Sequence, residues 1–235
     1  FMRSVAGALN CRQSFRSGSQ LIFAQPVINE RTTLMRLGIL GGTFDPVHYG
    51  HLLMAETCRQ QLKLNELRLI PAGSPPHKSD RSITDGHTRA DMLQLAISGY
   101  PEFIVDRREI RRKGPSYTVD TLTELASEFD GAELFFIVGA DSLRDLPTWR
   151  EPMKIASLAK IVAVNRPGAP TPTLQQAAEW VGEELASRIE LLTMPGCDLS
   201  ATELRRRVQE GLGLRFMTPK AVEAFIGQHN VYPAG

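Results

Sequence analysis

Six short runs of the chain are apolar almost throughout: LGILG (37–41), LRLIP (67–71), FIVD (103–106), ELFFIVG (133–139), KIVAVN (160–165) and IELLTM (189–194). A strand with one wet face alternates polar and apolar residues, so runs without alternation predict strands buried on both faces, as in a parallel sheet between helices. Helical patterns are expected near 50–63, 86–98, 117–129, 173–187, 200–210 and 219–228. Val119, Leu122, Leu125, Ala126 and Phe129 recur at helical spacing in one of them, and Ala90, Leu93, Ala96 and Ile97 in another. Strand and helix alternate along the chain, which predicts a doubly wound α/β fold with its ligand site at the carboxyl ends of the strands. No internal repeat, heptad array or Gly/Ser linker divides it.

Composition narrows the classes. The chain has 235 residues, and 27 Lys plus Arg stand against 26 Asp plus Glu, a net charge of +1 that gives no electrostatic footprint for nucleic acid. No apolar run approaches the roughly 18 residues of a membrane-spanning helix. The three cysteines, Cys11, Cys58 and Cys197, are odd in number and lack CxxC spacing, which argues against a disulfide framework and for a reducing compartment. Cys58 shares a helical stripe with Ala55 and Leu62 and reads as a core residue.

The first 36 residues stand apart: five arginines (Arg3, Arg12, Arg16, Arg31, Arg36) against one acid, Glu30, give about +4 and leave about −3 for the rest. Such a segment suits an organelle transit peptide, or residues translated upstream of a true start; Met35, directly before the first strand, favours the second reading, and Phe1 before Met2 looks like a vector-derived remnant. We therefore expect an N-terminal extension over 1–34 and one folded domain over 35–235.

The loop after the first strand carries the sharpest chemistry: Gly41-Gly42-Thr43-Phe44-Asp45-Pro46-Val47-His48-Tyr49-Gly50-His51. It lacks the GxGxxG of dinucleotide-binding dehydrogenases. Small glycines admit a ligand close to the backbone, Pro46 fixes the turn, and two histidines three apart open the next helix, where the helix dipole favours an anion. Two other readings of His48 and His51 stay open. One is a metal pair, for which no third and fourth ligands follow nearby; the other is a hydrogen-bonded structural pair. A second element, Leu199-Ser200-Ala201-Thr202-Glu203-Leu204-Arg205, reads as a capping box (Ser200, Glu203) with a hydrophobic staple (Leu199, Leu204), and would start a helix whatever its role. Arg206 and Arg207 read as a solvated basic face.

The loop closely resembles that of the HxGH nucleotidyltransferase superfamily, and the second element resembles the superfamily's Ser-x-Thr-x-x-Arg signature. The resemblance implies a Rossmann-like nucleotidyltransferase domain over 35–235. It implies that Gly41, Gly42, Thr43 and Phe44 cradle ATP, that His48, His51 and Arg205 act catalytically on its phosphates, and that Ser200 and Thr202 bind them.

The middle of the chain resembles one family of that superfamily, the bacterial nicotinate-nucleotide adenylyltransferases. The resemblance rests on Pro75-Pro76-His77-Lys78, Asp106-Arg107-Arg108-Glu109, Ser116-Tyr117-Thr118, Gly139-Ala140-Asp141-Ser142 and Pro147-Thr148-Trp149, with a looser likeness around Tyr232. It implies that Asp141 and Ser142 serve the adenosine side. It further implies that Trp149 stacks on the nicotinate ring, that the Tyr117-Thr118 helix start receives its carboxylate, and that Lys78 and Arg166 attend the mononucleotide. The implied reaction is adenylyl transfer from ATP to nicotinate mononucleotide in NAD biosynthesis, with Mg²⁺ bound through ATP and no dedicated metal site. ATP and nicotinate mononucleotide are the expected partners, with no nucleic acid or membrane, a homo-oligomer left open, and the cytoplasm as the compartment. Rival expectations are a transferase acting on phosphopantetheine, FMN or glycerol phosphate, and a nucleotide-sensing module without turnover.

Overall fold

The strand sequences explain how the sheet is covered. In β4 (Glu133–Gly139), Leu134, Phe136 and Val138 enter one apolar cluster while Phe135 and Ile137 enter another on the opposite face. In β5 (Lys160–Asn165), Ile161 and Ala163 share the first cluster and Val162 and Val164 the second. Both faces of the central strands are therefore core, and the parallel arrangement follows.

The computed structural model describes residues 34–73, 83–165 and 173–233. Its remaining strands are β1 (Arg36–Gly42), β2 (Glu66–Pro71), β3 (Phe103–Val105) and β6 (Ile189–Thr193), and all six pair in parallel in the order β3-β2-β1-β4-β5-β6. The doubly wound fold expected from the sequence is present, and its strand order reverses direction between β1 and β4. Helices α1 (Tyr49–Gln61), α2 (Gly86–Ala96), α8 (Ala201–Gln209) and α9 (Lys220–Gln228) supply one cluster with Met54, Leu93, Leu204 and Ile226. Helices α4 (Thr118–Glu128) and α5 (Pro152–Leu158) supply the other with Leu122, Leu125 and Ile155. Cys58 is fully buried with Ala55 and Leu62 in the cluster that holds Phe135 and Val162, and burial pushes its thiol up to about 12, so it is an inert core residue.

Three segments depart from the sequence expectation. The helix expected over 173–187 is divided at Gly182, whose φ of 86° lies outside helical space, into α6 (Leu174–Val181) and α7 (Glu183–Ala186). Between β4 and β5, where the sequence suggested no helix, a 3₁₀ helix (Ala140–Thr148) precedes α5. Its buried Leu143 and Leu146 repeat at three residues, the 3₁₀ period, so an α-helical pattern does not register them. The one-turn helix α3 (Arg108–Arg111) has no buried residue and hence no apolar stripe to reveal it.

Residues 1–33 of the expected N-terminal extension lie outside the described residues, as do His77, Lys78 and Arg166. Among the described residues no helix is long and apolar enough to cross a membrane.

Candidate active site

The carboxyl ends of β1 and β4, on either side of the point where the strand order reverses, open onto a cavity of about 520 Å³. Gly41, Gly42 and Thr43 line it from β1, Ala72 from the end of β2, and Gly139 and Ser142 from the end of β4. Tyr117, Thr118, Thr148, Trp149 and Arg150 complete the lining. The structure thus brings the glycine loop into one space with the Tyr117-Thr118 helix start and Trp149.

Each wall is built locally. Tyr117, in extended conformation, is the residue before the first turn of α4, so the helix begins at Thr118 and presents its amino end to the cavity. Trp149 ends the 3₁₀ helix, with its ring edge-on to Phe136 at 5.9 Å. The Arg150 guanidinium lies over the Tyr117 ring, 4.9 Å from its centroid, and adds positive charge at the rim. Glu109 also lines the cavity and accepts from the Thr121 hydroxyl at 2.7 Å, while Thr121 accepts from Arg112 at 3.1 Å. Burial raises the Glu109 carboxyl above its ordinary value, so its charged form is disfavoured at the cavity wall.

The two histidines sit at the start of α1. His48 is the residue before the helix and only 2% exposed; its backbone N–H donates to Nδ1 of His51 at 3.3 Å. The rings stack with centroids 3.7 Å apart, and Phe44 meets His51 edge-on at 5.0 Å. With Nδ1 of His51 accepting, its ring proton in the neutral form belongs on Nε2, which makes Nε2 the donor for an anion. Gly50 between them packs closely, since a Cβ there would lie 3.0 Å from the His48 ring. The first amide of α1 is engaged: Tyr49 N–H donates to the Met217 carbonyl at 3.0 Å, and the Thr218 hydroxyl donates to that of Val47 at 2.8 Å. The Tyr49 amide is thereby spent within the protein.

The second element reaches the same loop. Arg205 donates to the backbone carbonyl of Asp45 at 2.6 Å and to the Thr202 hydroxyl at 3.3 Å. Ser200 is spent on its helix, accepting from Glu203 N–H at 3.2 Å, while the Glu203 carboxylate pairs with Arg206. The amide half of the expected capping box is thus formed and the carboxylate is directed elsewhere. Leu199 and Leu204 join the same core cluster. Arg206 is half exposed, as its solvated reading required.

Other expected residues are placed less directly. Phe44 is buried in the core, so its backbone, at φ 50°, is what shapes the loop. Asp141 is exposed on the first turn of the 3₁₀ helix and does not line the cavity, unlike its neighbour Ser142. Sequence reasoning passed over Arg150, Glu109, Asp45 as a hydrogen-bonding hub, and Arg89. Only Arg89 left a sequence signal: it stands four residues before Leu93 and seven before Ala96, on the apolar stripe of α2.

A parallel sheet in this order, with a glycine turn leading into paired histidines and a serine-capped helix start beside it, defines a nucleotidyltransferase of the α/β type. A sequence model of the cytidylyltransferase-like family matches residues 39–207. A Thermomicrobium roseum protein named "Probable nicotinate-nucleotide adenylyltransferase" is 46% identical over 199 residues, covering 85% of this chain and 92% of that protein. A Thermus thermophilus protein of the same name is 42% identical over 198 residues, covering 84% of this chain and all of its own length. The chain belongs to the nicotinate-nucleotide adenylyltransferase family. In fold it is similar to the Plasmodium falciparum nicotinic acid mononucleotide adenylyltransferase solved with NaAD, with a TM-score of 0.68 at 17% identity over 84% of this chain and 97% of that one.

Proposed function

We propose that this chain transfers the adenylyl group of ATP to nicotinate mononucleotide, releasing pyrophosphate and forming nicotinate adenine dinucleotide for NAD biosynthesis. Family membership supports the reaction, and one observation carries it at the site: a single cavity is lined by Gly41–Thr43, by the Tyr117-Thr118 helix start and by Trp149. Two nucleotides held by those groups would meet within it.

In the reaction a phosphate oxygen of nicotinate mononucleotide attacks the α-phosphorus of ATP. The new P–O bond forms as the bond to the β-phosphate bridging oxygen breaks, and pyrophosphate leaves with that electron pair. No covalent enzyme intermediate is required, so alignment and electrostatic stabilisation supply the rate. We assign Gly41, Gly42, Thr43 and the Phe44 backbone to the triphosphate. His48 and His51 donate to its oxygens as charge grows, and Thr202 and Arg205 hold the leaving pyrophosphate, with Ser200 fixing their helix. Ser142, which lines the cavity, and by resemblance Asp141, which does not, are assigned to the adenosine side. Trp149 offers its indole face to the electron-poor nicotinate ring, and the amides at the start of α4 favour a carboxylate over an amide there. Lys78 and Arg166 are assigned to the mononucleotide phosphate by resemblance.

Magnesium fits this site as a companion of ATP. Among the described residues no three His, Cys, Asp or Glu side chains converge, so its ligands would be phosphate oxygens and water. When bound, it offsets the charge of the β- and γ-phosphates. We place the reaction in the cytoplasm, where ATP is supplied and thiols such as Cys58 and Cys197 stay reduced.

Pyrophosphate release tests the assignment. With ATP and Mg²⁺, nicotinate mononucleotide should far exceed nicotinamide mononucleotide, phosphopantetheine and FMN as acceptor. Release with one of the others alone would keep the phosphate chemistry and remove the assigned role of Trp149.

A further inference from the structure

Among the described residues, the most deeply buried cation is Arg89 on α2, only 1% exposed and with no part in the chemistry above. Its guanidinium makes three hydrogen bonds, all to backbone carbonyls and all at 2.7 Å. Nη1 donates to Thr43, Nη2 to Ala72 and Nε to Thr84. Thr43 belongs to the loop after β1, Ala72 follows β2, and Thr84 precedes α2, so three separate stretches of chain converge on one planar group. Thr43 and Ala72 both line the cavity, and the Ala72 N–H donates to the Gly42 carbonyl at 2.8 Å. The Asp45 carboxylate faces the same side, offsetting the charge, and itself accepts from the Thr84 N–H at 3.3 Å. Lysine offers one compact donor centre in place of this rigid fork, so it cannot hold all three carbonyls at once.

Burying a guanidinium for the sake of three carbonyls is costly for stability alone, since apolar packing would fill α2 at less expense. The arrangement instead fixes how far the glycine loop at the end of β1 stands from the end of β2. In-line transfer between two bound polyanions depends on that kind of registration: a misplacement of about 1 Å far from the chemistry can cost about 10²-fold in rate.

We infer that Arg89 is a positioning residue for adenylyl transfer, acting through the carbonyls of Thr43, Ala72 and Thr84 to hold the ATP-binding loop in register with the rest of the cavity. The inference rests on the adenylyl-transfer reading above. It requires Arg89 to act on kcat more than on either KM, because the ligands would still find their own contacts while the reacting atoms lose alignment.

The experiment measures pyrophosphate release from ATP and nicotinate mononucleotide by the wild-type chain, Arg89→Ala and Arg89→Lys. Folded fraction is read by circular dichroism at the assay temperature, so that kcat is expressed per folded molecule. The expected result for Arg89→Ala is a kcat lower by about 10²-fold with both KM values within about threefold of wild type. Arg89→Lys should lie between. Millimolar guanidinium chloride, far below denaturing concentration, should restore kcat to Arg89→Ala by re-donating to the three carbonyls, whereas sodium chloride at equal ionic strength should not. Folded variants with wild-type kcat would overturn the inference and leave the reaction standing, and so would a loss confined to KM. An Arg89→Lys chain that does not fold would also overturn it, because the residue would then serve folding alone. A wild-type chain that releases no pyrophosphate with nicotinate mononucleotide would remove the reaction itself, a failure distinguishable from the others.

Discussion

The Tyr232 hydroxyl donates to the Asp45 carboxylate at 2.6 Å, tying the last described turn of the chain to the loop after β1. The same loop receives Arg205 on the Asp45 carbonyl, so the carboxylate and the carbonyl of one residue tie Tyr232 and α8 to the loop after β1. Tyr232 is buried, and its neutral hydroxyl is what the carboxylate needs.

That geometry sets a pH dependence. Burial first, and then the Asp45 charge, raise the Tyr232 hydroxyl above its ordinary value of 10.0. Because the folded value lies above the unfolded one, the stabilisation is fully present below about pH 10 and is lost as pH rises toward the folded value. Tyr232→Phe should cost about 1.5–3 kcal/mol near neutral pH, the range for a hydrogen bond to a charged group. Denaturant unfolding from about pH 8 to 11 should show the gap between wild type and variant narrowing only above about pH 10. A gap that stays constant across the range would mean the phenol is not held in its neutral form.

Gly73, which follows β2, and Gly41, which lines the cavity, separate folding from function. A Cβ on Gly73 would fall 2.1 Å from the Glu109 carbonyl oxygen, a clash with backbone that no side-chain rotation relieves. Gly73→Ala should therefore destabilise the chain by about 1–3 kcal/mol. A Cβ on Gly41 meets nothing within 4 Å, because it points into the cavity. Gly41→Ala should unfold within about 0.5 kcal/mol of wild type yet raise the KM for ATP severalfold, as the methyl takes ligand space. Thermal unfolding and steady-state kinetics on the pair decide this, and an unchanged KM in Gly41→Ala would place the triphosphate away from that backbone.

How much of this was legible in the sequence follows from how local each feature is. β4 and β5 were plain because Leu134 through Val138 and Ile161 through Val164 are apolar on both faces, which only a covered sheet explains. The paired histidines and the Ser200 helix start were legible because capping and turn chemistry act within a few residues. The 3₁₀ helix with Leu143 and Leu146 was hidden by its period, and the break at Gly182 by an otherwise continuous stripe. Arg150 over Tyr117, and Arg89 joining Thr43 to Ala72 and Thr84, depend on segments far apart in the chain, so no local pattern reveals their partners.

The histidine pair permits a test of catalytic role apart from structure. His51 packs against His48 and Phe44 at the loop, and its Nδ1 is engaged by the His48 amide. His51→Ala should lower kcat by about 10²-fold or more, the usual effect of losing one donor to a charged transition state. Far-UV and near-UV circular dichroism should stay close to wild type. Wild-type turnover in the folded variant would return the pair to the hydrogen-bonded structural reading left open by the sequence.

Trp149 tests the acceptor end. Its ring is braced edge-on by Phe136, and it lines the same cavity as the glycine loop and the start of α4. An indole offers a broad π face to an electron-poor ring, and aromatic pairing of this kind is worth about 0.5–1.5 kcal/mol beyond simple burial. Trp149→Phe keeps a smaller face and should raise the KM for nicotinate mononucleotide by about 2- to 10-fold, leaving the KM for ATP unchanged. Trp149→Ala removes the face and should raise it further, with kcat falling as the acceptor loses its alignment. Because Trp149 is only partly buried in its core cluster, both variants should fold, and thermal unfolding verifies this. A Trp149→Ala chain whose KM rises for ATP alone would exchange the two ends of the cavity, placing the adenosine against the indole and the acceptor elsewhere.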